Sequence, residues 1–484
     1  MTLLDSLDKL IPFIDTYIWY LGLILIIGIG LFLSYKLKGI QITHFVESVR
    51  LVFSKDKKTS KRSVSSSEAF WVGVGARIGI GNIAGVAMAI ILGGAGAVFW
   101  IWVFAIIGSA SCFVECTLGQ IFKQKKSDGL FHGGPAYYIR DGLKNPKFAM
   151  LIALLLILTY AIGFIGIQSS SATSSFVTAF EFEGNDVLFA IILATTAGLI
   201  MFRGIKGVAK ASAKIVPVTA ALWFVVVIIT VAYNWRLIDD AIIMIIKGAF
   251  GFDSFLGGTL GAALMWGLKR SVFSNGAGIG SVPNVSSAAD VSHPVEQGLI
   301  QSFGVILDTI ICTGTAFIIL TSTGLASFGN ISEGIPLVAE SLSTGPLGSF
   351  APATLSIFIL LFVLASIISS YSLCEANLKF ISEKPIYSML MKITIIFSVF
   401  ISSLAPAELI WSISDILMAV LGISNMIAIL LLSKYAIEAL KDYNRQKSAG
   451  KEPVFNKSRI THDTSGITLW GERTEVDPDV EQEK

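Results

Sequence analysis

Apolar residues in this chain gather into runs of about 20, the helix length that crosses a hydrocarbon core, and polar residues fill the short segments between them. Eleven such runs are expected. The first, at about 17–35, is a leader helix followed by a basic linker over 37–68. Ten more follow near 69–92, 96–121, 148–168, 186–202, 213–233, 255–290, 298–322, 351–373, 386–404 and 408–433. None shows the short alternating segments of a transmembrane barrel. The pattern predicts an all-α polytopic membrane protein whose core occupies 69–433, followed by a charged, loosely ordered tail over 434–484. Segments 236–250 and 328–345 are too polar or interrupted to span and read as amphipathic or hairpin elements on the outer face. Residues 130–143, LFHGGPAYYIRDGL, read as a loop with a tight Gly-Gly-Pro turn, or as an interfacial helix anchored by Tyr137 and Tyr138.

Two of the runs break their own pattern. GARIGIGNIAG (75–85) and KRSVFSNGAGIGS (269–281) each place a basic residue, an Asn and clustered glycines inside an apolar span. Glycine costs about 1 kcal/mol relative to alanine inside a helix, and a charge at mid-bilayer costs roughly 2.5–3.5 kcal/mol on an insertion scale. One such helix is ordinary, since glycines also serve close packing between membrane helices. Two, five helices apart, are the signature of a secondary transporter, in which helices break at the bilayer midplane and free their ends for ions and substrate. Five helices per half is an odd number, so the second half (about 255–433) enters upside down relative to the first (about 69–233).

Composition agrees with a membrane protein: 54% of residues are hydrophobic and 14% charged, against about 25% charged in soluble domains. The placement of charge adds direction. Of 36 Lys and Arg, thirty lie in alternate loops and the tail, and only Lys9, Arg236 and Lys247 lie on the opposite side. By the positive-inside rule the N-terminus is expected outside and the C-terminus in the cytoplasm. Nothing suggests nucleic acid as a partner. Cys112, Cys116, Cys312 and Cys374 all fall in apolar runs and read as buried packing residues, with no histidine or carboxylate constellation to make Cys112 and Cys116 a metal site. No nucleophile–base pair or phosphate-binding loop points to an enzyme.

At these broken helices the sequence resembles the alanine or glycine:cation symporters of bacteria and archaea. GIGNIAGVAMAIILGGAGAVFWIW (79–102), GGPAYYIRDGL (133–143), RSVFSNGAGIGSVPN (270–284) and HPVEQGLIQSFGVILDTIICT (293–313) carry the likeness. The resemblance implies a five-plus-five inverted-repeat core, similar to that of the neurotransmitter:sodium symporters. It implies sodium-coupled uptake of a small neutral amino acid, alanine or glycine, across a prokaryotic plasma membrane. Carried over residue by residue, it implies a substrate site at Gly79, Ile80 and Gly81, with Phe273, Asn275 and Gly276, and with Gln168 at the outer end of the third core helix. Sodium would lie between carbonyls near Gly75 and Ile78 and the hydroxyls of Ser366, Ser369 and Ser370. Asn82 would be a further ligand or a cap on the broken helix.

Three departures touch the implied pocket. Gly276 stands where relatives usually carry Glu, Ile80 where Thr is common, and Ser369 and Ser370 where Gly-Trp is common. Arg77, Lys269 and Arg270 read as structural or gating residues, pairing with Glu375 or Asp308 or bonding freed carbonyls. A proton-coupled transporter on the same scaffold is the main rival, with Asp308 and Glu375 as carboxylates, both expected near span ends or off the broken helices. A channel would need a continuous polar lining, which is not visible.

Overall fold

The computed structural model describes residues 3–54, 64–127, 129–180, 185–251, 259–322 and 334–471. Among them the only strands form the hairpin β1 (Gln124–Lys125) and β2 (Phe131–His132); helices make up nearly all the rest. The leader run is helix α1 (Leu3–Lys36). The first broken helix is α2 (Ser66–Arg77) and α3 (Ala84–Gly93), joined through a single 3-10 turn at Ile80–Asn82. A capping box, Ser65 with Glu68, starts α2. There follow α4 (Gly96–Ile121) and the short α5 (Pro135–Gly142), which buries Tyr137 and Tyr138. Helix α6 runs as Pro146–Leu158, passes through a π-helical stretch at Thr159–Phe164 and continues as Ile165–Ala179.

Helices α7 (Asn185–Met201) and α8 (Gly204–Tyr233) and the amphipathic α9 (Ile238–Ala249) lead to the second break. The two pieces of that broken helix are α10 (Leu260–Asn275) and α11 (Val282–Ser286). Helices α12 (Pro294–Leu320), α13 (Gly334–Ser343), α14 (Ala351–Ile381), α15 (Pro385–Ser403) and α16 (Ala407–Ser448) follow. Among the described residues, eight helices are long and apolar enough to cross a membrane; the other three expected spans are the two broken helices and the 17-residue α7. This is an all-α polytopic membrane protein. Of the two forms open to 328–345, amphipathic or hairpin, residues 334–343 take a helical one as α13, and the first residues lie outside those described.

Burial separates centre from rim. Helix α14 has two-thirds of its most apolar stretch buried (67%), whereas α8 and α15 have 28% and 22%. The outer faces of α8 (Leu222, Val225, Ile228, Ile229) and α15 (Ile393, Phe397, Ile401) are exposed and apolar, as lipid contact demands.

Two expectations are corrected here. The helix expected to end near Gln168 continues to Ala179, because the polar run satisfies itself: Ser169 and Thr173 donate to the carbonyls of Ile165 and Ser169 one turn back (2.8 and 3.0 Å). Gln168 therefore sits well inside the helix. The tail expected to be loose is folded as far as Gly471: α16 runs on to Ser448, and Phe455, Ile460, Ile467 and Trp470 are buried beyond it.

Candidate functional site

The break in the first helix is held by side chains. Ile78 N–H makes the last intrahelical bond of α2, to Val74 O (2.7 Å), so the carbonyls from Gly75 onward have passed the end of the ladder. Asn82 caps the break: its Oδ1 accepts from Gly79 N–H (2.9 Å) while its Nδ2 donates to Asp308 Oδ1 (2.6 Å). Of the two roles open to Asn82, the geometry displays the cap. Gln168 reaches in from α6 and accepts from Ile80 N–H (2.9 Å), with its amide packed on Gly79, where an added Cβ would lie 2.6 Å from Nε2. The amides of Gly79 and Ile80, two residues of the implied substrate site, are thus engaged by side chains.

Aromatic rings close over this break. Phe273 of α10 lies on Gly81, where a Cβ would meet its ring at 2.8 Å. Phe273 stacks on Phe164 (centroids 4.6 Å, 6°), which stacks on Tyr160 (4.6 Å), and Trp411 of α16 covers its other side (4.9 Å). The column joins the π-helical stretch of α6 to α10 and α16. Ile80, Gly81, Gln168 and Phe273 are therefore brought together and fully buried.

Asn275 and Gly276 are not part of that group. Asn275 Oδ1 accepts from Ala277 N–H and its Nδ2 donates to Ser271 Oγ (both 2.9 Å), so it caps the end of α10. Asn275 lines a small cavity with Ile26 and Ile27 of α1 and Phe104 of α4. Gly276 sits at φ +62°, followed by Gly278 and Gly280 at +82° and +81°. Only glycine adopts this left-handed backbone without strain, which accounts for glycine at 276 in this chain.

The serines of α14 face the other side of α2. Ser366, Ser369 and Ser370 are wholly buried. Gly75 packs on Ser369, whose Oγ would lie 2.7 Å from a Cβ there and which shares a hydrogen bond with Ser212 of α8 (3.2 Å). The hydroxyls of Ser366 and Ser370 have no hydrogen-bond partner among the described residues. Buried polar atoms are nearly always satisfied, and these two unpartnered hydroxyls share a helix face with Ser369, which packs on Gly75 at the end of α2. The donor set fits a small cation.

The three cations are paired, though not as expected. Arg77 donates to Gln301 O and lies on Cys112 Sγ (both 3.0 Å). Lys269 pairs with Asp15 (2.5 Å) and Arg270 with Asp415 (2.6 Å). Glu375 instead takes hydroxyls from Ser388 and Tyr371. Asp308 lies mid-helix in α12, off the broken helices as expected, and its carboxylate bridges the two of them, accepting from Asn82 and from Ser274 Oγ (2.7 Å). Glu115 is a residue of this region that no motif announces. Its carboxylate accepts from Gly278 N–H (3.2 Å), Gly280 N–H (3.0 Å) and Asn425 Nδ2 (2.9 Å), pinning the second break. Its one signal in the sequence is isolation, a single charge in the 26 residues of α4. Cys112, Glu115 and Cys116 lie close enough to hold a metal. The three N–H groups on Glu115 and the guanidinium on Cys112 instead show these atoms already occupied.

Two helices broken at corresponding places, pinned by buried carboxylates and flanked by orphan hydroxyls, define a secondary transporter of the broken-helix kind. The chain belongs to the Sodium:alanine symporter family, whose family model matches residues 4–457. It is 42% identical over 466 residues to the Probable sodium/glutamine symporter GlnT of Bacillus subtilis (strain 168), with 96% of each chain covered. It is 37% identical to the Amino-acid carrier protein AlsT of the same organism (97% of this chain, 99% of that one). It is 32% identical to the Sodium/alanine symporter AgcS of Methanococcus maripaludis (90% and 97%).

Proposed function

We propose that the chain is a sodium-coupled symporter that takes up a small neutral amino acid, alanine or glycine foremost, by alternating access. The observation that carries this is the buried serine face of α14: Ser369 packs on Gly75 at the end of α2, and Ser366 and Ser370, on the same helix face, have hydroxyls without a partner among the described residues. Sodium bound there draws the carbonyls of Gly75 and Ile78 toward α14 and fixes the first broken helix. Gln168 holds the Ile80 amide until the substrate carboxylate exchanges with it, and Gly79 and Gly81 let the ligand approach the backbone. Phe273 and the rings stacked on it close over the bound molecule. Lys269 and Arg270 already have carboxylate partners and Arg77 a carbonyl, which favours a substrate side chain without charge. The basic loops favour an N-terminus outside and a C-terminus in the cytoplasm, in the cell membrane.

The test is uptake of labelled alanine, glycine and glutamine into proteoliposomes, driven by a sodium gradient or by a pH gradient. Glutamine is included because one relative is named for it. Sodium should drive accumulation, and Ser366→Ala should raise the sodium concentration for half-maximal uptake about tenfold, the effect of one lost ion contact of about 1.4 kcal/mol. Accumulation without sodium would remove the cation assignment.

Proton coupling is the second reading, favoured by the Asp308 carboxylate buried between both broken helices. A relative 33% identical to this chain is named a Sodium/proton-dependent alanine carrier protein, from Bacillus sp. (strain PS3). In that case a pH gradient alone would drive uptake, and Asp308→Asn would abolish it.

A further inference from the structure

Helix α1 lies outside the repeated core, yet two of its side chains reach the charged residues of that core. Lys269 Nζ is 2.5 Å from Asp15 Oδ2 and 4.0 Å from Asp415 Oδ2, and Arg270 Nη2 is 2.6 Å from that same Asp415 oxygen. One turn along α1, Trp19 is wholly buried, donates its indole N–H to the Asp415 backbone carbonyl (3.2 Å) and lies beneath the Lys269 ammonium. So α1 holds α10 through an ion pair and α16 through a hydrogen bond. These are the helices whose Phe273 and Trp411 meet over the first break, and Arg270 packs on both rings.

The cluster is not fully satisfied. Asp15 Oδ1, Asp415 Oδ1 and the Nε and Nη1 of Arg270 are buried without partners among the described residues. Buried polar atoms are nearly always satisfied, so this cluster keeps hydrogen-bonding capacity for a second arrangement. The two rings that meet over the first break, Phe273 and Trp411, thus belong to helices that are both tied to α1.

We propose that α1 is a latch on the outer gate, with Asp15 and Trp19 as positioning residues that hold Lys269, Arg270 and Asp415 in the closed arrangement. This rests on the transport reading above, which makes this cluster the outer side of the site.

The experiment uses the full-length protein in proteoliposomes with Ser414→Cys as reporter. Ser414 is wholly buried beside Asp415, and the four native cysteines are buried as well. An impermeant maleimide added outside should label the introduced thiol slowly in the otherwise unchanged protein. It should label several-fold faster when Asp15→Asn is combined with Lys269→Met, a pair that removes both charges and leaves neither one buried alone. Trp19→Phe should act in the same direction. The conservative Asp15→Glu, which keeps the carboxylate for Lys269, should retain slow labelling. Fast labelling by Asp15→Glu, or a wild-type labelling rate in the neutral pair with uptake intact, would overturn the latch and leave α1 an anchor. Failure of the native protein to accumulate amino acid under sodium would instead defeat the transport reading. The labelling rates would still decide whether α1 holds the gate.

Discussion

At the scale of single residues, the two breaks are kept open by side chains that replace the lost helical bonds, and Glu115 does most of this at the second. Its carboxylate serves two loop amides and the Asn425 side chain, and Asn425 in turn accepts from Tyr138 of α5 (2.5 Å). Glu115→Ala leaves three buried donors without an acceptor, at about 1–3 kcal/mol each. The expected result is a fall of several kcal/mol in stability, read as a lowered unfolding midpoint in detergent, with Glu115→Gln retaining part of the loss. A midpoint unchanged in Glu115→Ala would mean that the glycine loop holds its shape unaided. The glycines at 276, 278 and 280 announce an irregular backbone by their clustering, but the acid that fastens them lies about 160 positions away. No local pattern links residues so distant. The role of Asp308 is hidden for a related reason: it lies off the broken helices, as expected, and its partners, Asn82 and Ser274, come from other helices.

At the scale of elements, hydrophobic length is what the sequence displays, and the helices that outrun their expected ends are those that continue as polar. Past Lys434, α16 is charged on one side, yet Tyr435, Ala436, Ala439, Leu440 and Tyr443 are buried at spacings of one, three and four, the stripe of an amphipathic helix. A window that sums hydropathy passes over that stripe. Beyond it, the segment to Gly471 returns over the helix ends: Phe455 N–H bonds Ser292 O and Trp470 Nε1 bonds Gln120 O (both 3.0 Å), so the start of α12 and the end of α4 are tied together. Trp470 also stacks edge-on against Phe455 and receives the Lys123 ammonium on its ring. Most of this strap lies past residue 457, where the family match ends. Trp470→Ala should destabilise by about 3 kcal/mol, the low end for truncating a buried aromatic, measured as a shift of the thermal midpoint. A shift under about 0.5 kcal/mol, the size of an ordinary surface change, would show the strap to be a surface decoration.

At the scale of the whole molecule, the lopsided distribution of Lys and Arg and the two matched breaks bear on one quantity, the charge moved per cycle. A neutral amino acid carries its ammonium and carboxylate together, so it adds nothing. The cations near the breaks are each matched by a carboxylate or a carbonyl within the protein, and a charge held by the protein does not cross with the substrate. With one sodium taken per turnover, one positive charge would move inward. A potential of about 100 mV, negative inside, contributes roughly 2.3 kcal/mol per charge, which at about 1.4 kcal/mol per tenfold multiplies accumulation by roughly 40. The check is a potassium diffusion potential set with valinomycin across proteoliposomes that have equal sodium on both sides. Uptake should start when the potential is imposed, negative inside, and stop when it is collapsed. Uptake indifferent to the potential would mean that the charge of sodium is balanced by another ion moving out. Asp308, buried between the two breaks, would then be the group to examine for a proton carried on the return.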